Sequence, residues 1–231
     1  MNPRLSTEVL FVTGFRVRRL TVAAVVAVAA TLGASTAQAD PGFLPARPSP
    51  GMQVDDENAT CTAGFAAQGS DGGYYFLTSG HCDGRDGSVW TYDGGAPLGP
   101  ITASEVEGDV KDAAIIRLDP GAGQPTGDVG ERYPVRDVLG LDQIRVGMPF
   151  CKIGAITGET CGQITSTEGG VVEASVFSLE GDSGSPGFVK NQDGTVSAVG
   201  LLTSSPEDDD YTSYFTPVAP VLAEWGLHIV P

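Results

Sequence analysis

The stretch 180-EGDSGSPGF-188 decides how this sequence is read. Clusters of Gly and Ser usually mark a turn, yet here Ser183 follows an Asp and is flanked by glycines that let the backbone bend sharply. A Ser hydroxyl is a weak nucleophile until a neighbouring base takes its proton, and that base must itself be oriented. The choice of base is narrow, because the chain has two His. His81 stands in 77-LTSGHC-82, directly after an apolar run, whereas His228 lies close to the C-terminus. The orienting acid belongs beside the base. Asp112, in 110-VKDAAIIRL-118, heads the most apolar run of the first half. An Asp there is costly to bury unless something hydrogen-bonds to it, and His81 is the fitting donor. Asp109 and Asp119 are nearby rivals that lead less directly into the run. Gly181 allows its own N–H and that of Ser183 to converge on one point, as an oxyanion hole requires.

Composition agrees with a turn-rich β protein. Of 231 residues 32 are Gly and only 18% are charged, and no heptad or repeat is present. Short apolar or alternating runs follow one another from Cys61, separated by Gly, Asp and Pro: 62-TAGFAAQ-68, 74-YYFLTS-79, 88-SVWTY-92, 113-AAIIRL-118, 146-VGMPFCKIG-154, 170-GVVEASVFSL-179 and 196-VSAVGLLTS-204. This spacing predicts strands of a sandwich or barrel. The one helix expected is last, where Pro217 and Pro220 lead into 221-VLAEWGL-227. Between the two groups of runs, 119-DPGAGQPTGDVGERYPVRDV-138 is rich in Gly, Pro and charge and marks a boundary between two β-subdomains.

The first 39 residues have the order of a secretory signal. Arg16, Arg18 and Arg19 precede an apolar run from Leu20 to Leu32, and 37-AQA-39 offers a small-residue cleavage site after Ala39. That run is short of the ~20 residues of a membrane span, so no stable membrane association is expected after cleavage, and the protein is expected to be secreted. Residues 40–58 are rich in Pro and acid and read as a disordered tail or short pro-segment. The formal net charge is −16, and losing the Arg-rich first segment makes the remainder more acidic. Phosphate backbones repel such a chain, which excludes nucleic acid as a partner. Four cysteines, Cys61, Cys82, Cys151 and Cys161, suggest two disulfides in an exported chain, with three pairings open. Without a CxxC and with two His, no metal or other cofactor is expected.

The motifs 77-LTSGHC-82, 110-VKDAAIIRL-118 and GDSGSP, in the order His, Asp, Ser, resemble the chymotrypsin-fold serine peptidases, within them the secreted bacterial branch of streptogrisins and α-lytic protease. The likeness runs from about Cys61 to the C-terminus. It includes 151-CKIGAITGETCG-162, similar to a disulfide-closed hairpin of that branch, and 215-FTPVAPVLAEWGLHI-229, similar to its Pro-led terminal helix. The resemblance implies two antiparallel six-stranded β-barrels, here residues 59–125 and 126–231, with a short C-terminal helix. It implies a monomeric secreted endopeptidase acting on peptide or protein substrates, with Ser183 as nucleophile, His81 as base and Asp112 as orienting acid. The N–H groups of Gly181 and Ser183 would hold the oxyanion, and Cys61–Cys82 and Cys151–Cys161 would be the disulfides. An Arg of the hairpin holds the acid before the nucleophile in that branch; here the position is Lys152, which implies a buried Lys152–Asp182 pair. The substrate pocket would involve Phe177, Ser178, Glu180, Thr203 and Ser204, with Phe177 at its base, where no Asp stands to favour Lys or Arg. The run 207-EDDD-210 near the pocket mouth could favour basic substrates. The other reading of the same chain is a catalytically idle homologue that acts as an extracellular binding protein.

Overall fold

The computed structural model describes residues 46–231; the expected signal segment and the first residues of the expected tail lie outside the described part. Seven strands come first: β1 (Gln53–Asp55), β2 (Thr60–Thr62), β3 (Ala66–Gly69), β4 (Tyr74–Thr78), β5 (Val89–Tyr92), β6 (Ala96–Val106) and β7 (Asp112–Arg117). The second group is β8 (Val135–Val138), β9 (Pro149–Gly154), β10 (Gly158–Ser166), β11 (Val172–Ala174), β12 (Pro186–Lys190), β13 (Val196–Ser204) and β14 (Ser213–Pro217). Helix α1 (Val218–Glu224) and strand β15 (Leu227–Ile229) end the chain.

The second group closes into a six-stranded barrel, β9-β10-β11-β14-β13-β12, with β8 added in parallel to β13. The first group is a curled open sheet in the order β15-β3-β4-β7-β6-β5-β1-β2. The fold is therefore all-β and of the two-barrel kind, but its first half is a curled sheet where six closed strands were expected. Its eighth strand, β15, comes from the far end of the chain and pairs antiparallel with β3.

Three apolar clusters hold this arrangement. Phe76, Trp90, Leu98 and Ile116 fill the inside of the first sheet, and Phe150, Ile164, Val199 and Phe215 fill the second barrel. The third cluster joins Phe65, Leu77 and Ile115 of the first half to Ile153, Phe188, Leu201 and the α1 residues Val218, Val221 and Leu222. The expected continuous run in β7 follows from this: Ile115 faces the joint core while Ile116 faces the core of its own sheet. A strand buried on both faces has no polar side to alternate with.

Two further expectations change. The helix begins at Val218 instead of Val221, because Pro220 sits in the first turn, where a missing N–H costs nothing. Residues 46–58 are not a loose tail. The Arg47 guanidinium donates to the carbonyls of Gln124 and Pro125, Gly51 N–H donates to the carbonyl of Ala63, and β1 pairs with both β2 and β5. Val54 is fully buried in the first core. Three residues of strand are too few to show a period against the Pro and acid around them. Val54→Ala should lower unfolding free energy by about 2 kcal/mol, measured by denaturant titration, and deleting residues 46–58 should lower it further. A deletion variant as stable as the parent would refute the assignment of this segment to the folded body.

Candidate active site

Strand register brings His81 and Asp112 together. Thr78 at the end of β4 lies opposite Ala114 near the start of β7, so the turn after β4, Gly80–Cys82, meets the first residue of β7. Asp112 is 4% exposed. Its Oδ1 accepts the backbone N–H of His81 at 2.8 Å and its Oδ2 lies 2.6 Å from His81 Nδ1. The other ring nitrogen, Nε2, lies 2.9 Å from Ser183 Oγ. One tautomer satisfies both contacts: Nδ1 carries the proton and donates to Asp112, leaving Nε2 as acceptor for the Ser183 hydroxyl. Asp109 does not share this role. Its carboxylate takes hydroxyl hydrogens from Ser204, at 2.6 Å, and Thr203.

Ser183 sits in the loop between β11 and β12. Gly181 has φ +92°, a left-handed value that favours glycine. Among the described residues, neither Gly181 N–H nor Ser183 N–H donates to any protein group, so both are free for a ligand oxygen. Gly184 is required for another reason: a Cβ there would lie 2.2 Å from Thr78 Oγ1. The loop is tied to β13, since Gly184 N–H donates to the Leu202 carbonyl and Leu202 N–H to the Ser185 carbonyl. Ser79 Oγ, from the other half, donates to the same Leu202 carbonyl at 2.6 Å.

The expected Lys152–Asp182 pair is present and fully buried, with Nζ 2.9 Å from Oδ2. Asp182 collects four further donors: the N–H groups of Ile156, Thr157 and Leu179, and Thr157 Oγ1. Burial alone would raise the Asp182 pKa, but the Thr157 hydrogen bond, the Lys152 ammonium and the Leu179 N–H hold it below the usual carboxylate value. Burial lowers the Lys152 pKa against the pull of Asp182. The hydrogen bonds that Asp182 collects favour its ionised form over its neutral one.

Thr62 supports the same loop, and no motif marks it. Fully buried, it donates its N–H to the Ser183 carbonyl at 2.8 Å and its hydroxyl to the Gly181 carbonyl at 3.0 Å. Its Oγ1 also accepts from Ala155 N–H. Thr157 was likewise missed, although it lies within the hairpin whose Lys was singled out. Both act through pairing that only the folded chain reveals. The disulfides are Cys61–Cys82 and Cys151–Cys161. The Cys61–Cys82 bond fixes the residue after His81 to the one before Thr62. Cys151, Cys161 and Glu159 cluster closely enough for a metal, but sulfurs held in a disulfide are not thiolate ligands.

Two cavities flank Ser183. One, about 540 Å³, is lined by Gln53, Asn58, Thr60, His81, Ile156 and Glu180 among others. The second, about 190 Å³, is lined by Ser178, Leu179, Glu180, Thr203, Ser204 and neighbouring residues. Four of the five residues expected in the substrate pocket thus line it. Phe177 does not; its ring packs on Tyr211 with centroids 5.1 Å apart, because the backbone of Asp210 takes the hydrogen bond from Ser178 N–H and draws the 207–211 loop alongside.

No protein-family model matches the chain. It is 30% identical over 203 residues to Uncharacterized protein MT1863 of Mycobacterium tuberculosis (strain CDC 1551 / Oshkosh), covering 81% of this chain and 86% of that one. Uncharacterized protein Rv1815 of Mycobacterium tuberculosis (strain ATCC 25618 / H37Rv) matches with the same identity and coverage. Among solved structures, Thermobifida fusca Protease A superposes with a TM-score of 0.66 at 25% identity over 80% of this chain and 99% of its own. Alpha-lytic protease homolog N4 gives 0.63 at 29% identity over 78% and 98%. Nocardiopsis Protease gives 0.65 at 25% identity over 80% and 100%. The two-barrel β architecture is that of a serine peptidase. The chain has the chymotrypsin-type fold and is similar in structure to these bacterial serine proteases.

Lys152→Ala leaves a buried carboxylate without its counter-charge and should cost about 3–5 kcal/mol, read by thermal or denaturant unfolding. Because the Asp182 pKa is depressed in the folded state, its contribution is present above the unfolded carboxylate range and is lost as pH falls through the folded value. Asp182→Asn should flatten that acid-side slope of stability. Thr62→Val strands the Gly181 carbonyl and the Ala155 N–H, at about 2–4 kcal/mol, whereas Thr62→Ser keeps both bonds. Equal stability of the Val and Ser variants would contradict the role given to the hydroxyl.

Proposed function

We propose that the protein is a secreted serine endopeptidase. The observation that carries this reading is the unbroken chain from Asp112 through His81 to Ser183 Oγ, with contacts of 2.6 and 2.9 Å. His81 Nε2 takes the Ser183 proton as Oγ attacks the scissile carbonyl, and Asp112 stabilises the imidazolium that forms. The carbonyl oxygen, now an anion, moves toward the free N–H groups of Gly181 and Ser183, each typically worth ~3 kcal/mol in the transition state. The imidazolium then protonates the leaving amine. Water, deprotonated by His81, attacks the acyl-enzyme ester and releases the acid with Ser183 restored.

The cleft supports cleavage within a chain, since cavities on both sides of Ser183 leave room for substrate to continue in each direction. Two disulfides fit an oxidising compartment, in keeping with the secretory order of the first residues. No helix among the described residues is long and apolar enough to cross a membrane. Peptide or protein substrates are the partners this reading requires, and one copy of the chain supplies every residue it uses.

A fluorophosphonate should label the disulfide-intact protein on Ser183 and leave Ser183→Ala unlabelled. The labelling rate should fall sharply in His81→Ala, which removes the acceptor of the Ser183 proton. A parent protein that resists labelling, with its fold verified by circular dichroism, would sink the enzyme reading and favour an idle binding protein.

A further inference from the structure

The smaller cavity beside Ser183 has walls whose hydroxyl protons are all committed elsewhere. Ser213 Oγ donates to the buried carbonyl of Val176 at 3.0 Å. With its proton used, Ser213 must accept from Ser178 Oγ, 2.7 Å away. Ser178 in turn must accept from Ser205 Oγ at 2.9 Å. Reversing this relay would leave the Val176 carbonyl, on a residue 1% exposed, without a donor, which is the costlier arrangement. The other wall behaves likewise. Ser204 Oγ donates to Asp109 Oδ1 at 2.6 Å. Thr203 Oγ1 faces only acceptors, the Tyr214 carbonyl and Asp109.

A hydroxyl that has spent its proton offers only lone pairs. The polar atoms of these side chains can therefore accept from a ligand and cannot donate to one. The remaining polar side chains of the cavity, apart from Ser183, are the carboxylates of Glu180 and Asp210, and its lining contains no Lys, Arg or His. Leu179 and Leu202 supply an apolar stretch between. Ammonium and guanidinium groups are the side-chain ends that donate only and carry positive charge, and their alkyl stems suit apolar walls.

We infer, building on the peptidase reading, that this cavity selects a Lys or Arg side chain on the acyl side of the scissile bond. The cation is read by side-chain hydroxyls that can only accept and by the carboxylates of Glu180 and Asp210, without a carboxylate at the base. The 177 position is occupied by a phenylalanine turned onto Tyr211, so the absence of an Asp there does not decide the specificity. Glu180 and Asp210 are exposed, and their attraction is open to salt.

The test uses one fluorogenic tetrapeptide amide varied only at the residue before the scissile bond, with the full disulfide-intact protein. Lys should exceed its uncharged analogue norleucine in kcat/KM by about tenfold or more, Arg should exceed citrulline similarly, and Glu should be cleaved least. Both ratios should shrink at 1 M salt, where the screening length is roughly 3 Å, and in Glu180→Gln and Asp210→Asn. Norleucine, Ala or Glu cleaved as well as Lys would overturn the inference while leaving the peptidase reading intact. A binding measurement separates the two ideas further. Calorimetry on Ser183→Ala should detect agmatine and not pentanoate, whether or not the parent cleaves anything. Agmatine bound no better than pentanoate would refute the cavity's polarity, whereas agmatine binding in a protein that resists fluorophosphonate would refute catalysis alone.

Discussion

The buried carboxylate of Asp182 is the constraint on which the rest of the site depends. Its backbone lies between Gly181 and Ser183, so wherever its side chain is fixed, the turn that presents two N–H groups and a hydroxyl is fixed too. Five donors from three places hold it: Lys152 on β9, Ile156 and Thr157 in the hairpin beyond, and Leu179 just upstream. In a low-dielectric interior each of these is strong and each is expensive to lose. The hairpin is itself closed by Cys151–Cys161, so the geometry at Ser183 rests on a covalently fastened scaffold.

A second set of bonds joins the halves of the molecule across the cleft. Thr62 and Ser79 come from the first half and reach the carbonyls of Gly181, Ser183 and Leu202 in the second. Asp109 reaches Ser204 from the same direction, and Thr216 Oγ1 accepts from Asp112 N–H. His81 and Asp112 sit on one half and Ser183 on the other. These crossings, with the shared core of Leu77, Ile115, Phe188 and Leu201, are what keep hydroxyl and imidazole within hydrogen-bond distance. Local order within either half could not do so.

What was legible in the sequence followed from residues with few alternatives. Two His and one GDSG left little freedom, and the doubly buried β7 announced itself as an apolar run. The strands β6, β10 and β14 were not legible. Half-exposed Thr, Glu, Ser and Gln interrupt the apolar residues of β6 and β10, β14 is a short buried run of mixed polarity, and β6 contains Pro97 and Pro100 with a register shift opposite Trp90 and Thr91. Irregular pairing of this kind breaks the period of two. The pair Lys152–Asp182 was visible only through resemblance to a family, since nothing in either local sequence calls for a partner. Thr62 was invisible for a deeper reason: its hydroxyl serves a backbone carbonyl 119 residues away, and carbonyls leave no mark in a sequence.

The pairing of β15 with β3 has a bearing on how the molecule comes into being. Leu227, His228 and Ile229 lie against Gly69, Gln68 and Ala67, and Val230 N–H donates to the carbonyl of Ala66. The sheet that carries His81 and Asp112 therefore remains one strand short while the chain is still being synthesised. Its edge stays open until residues 227–229 arrive. A chain that emerges N-terminus first cannot complete the half that holds His81 before it has released the half that holds Ser183.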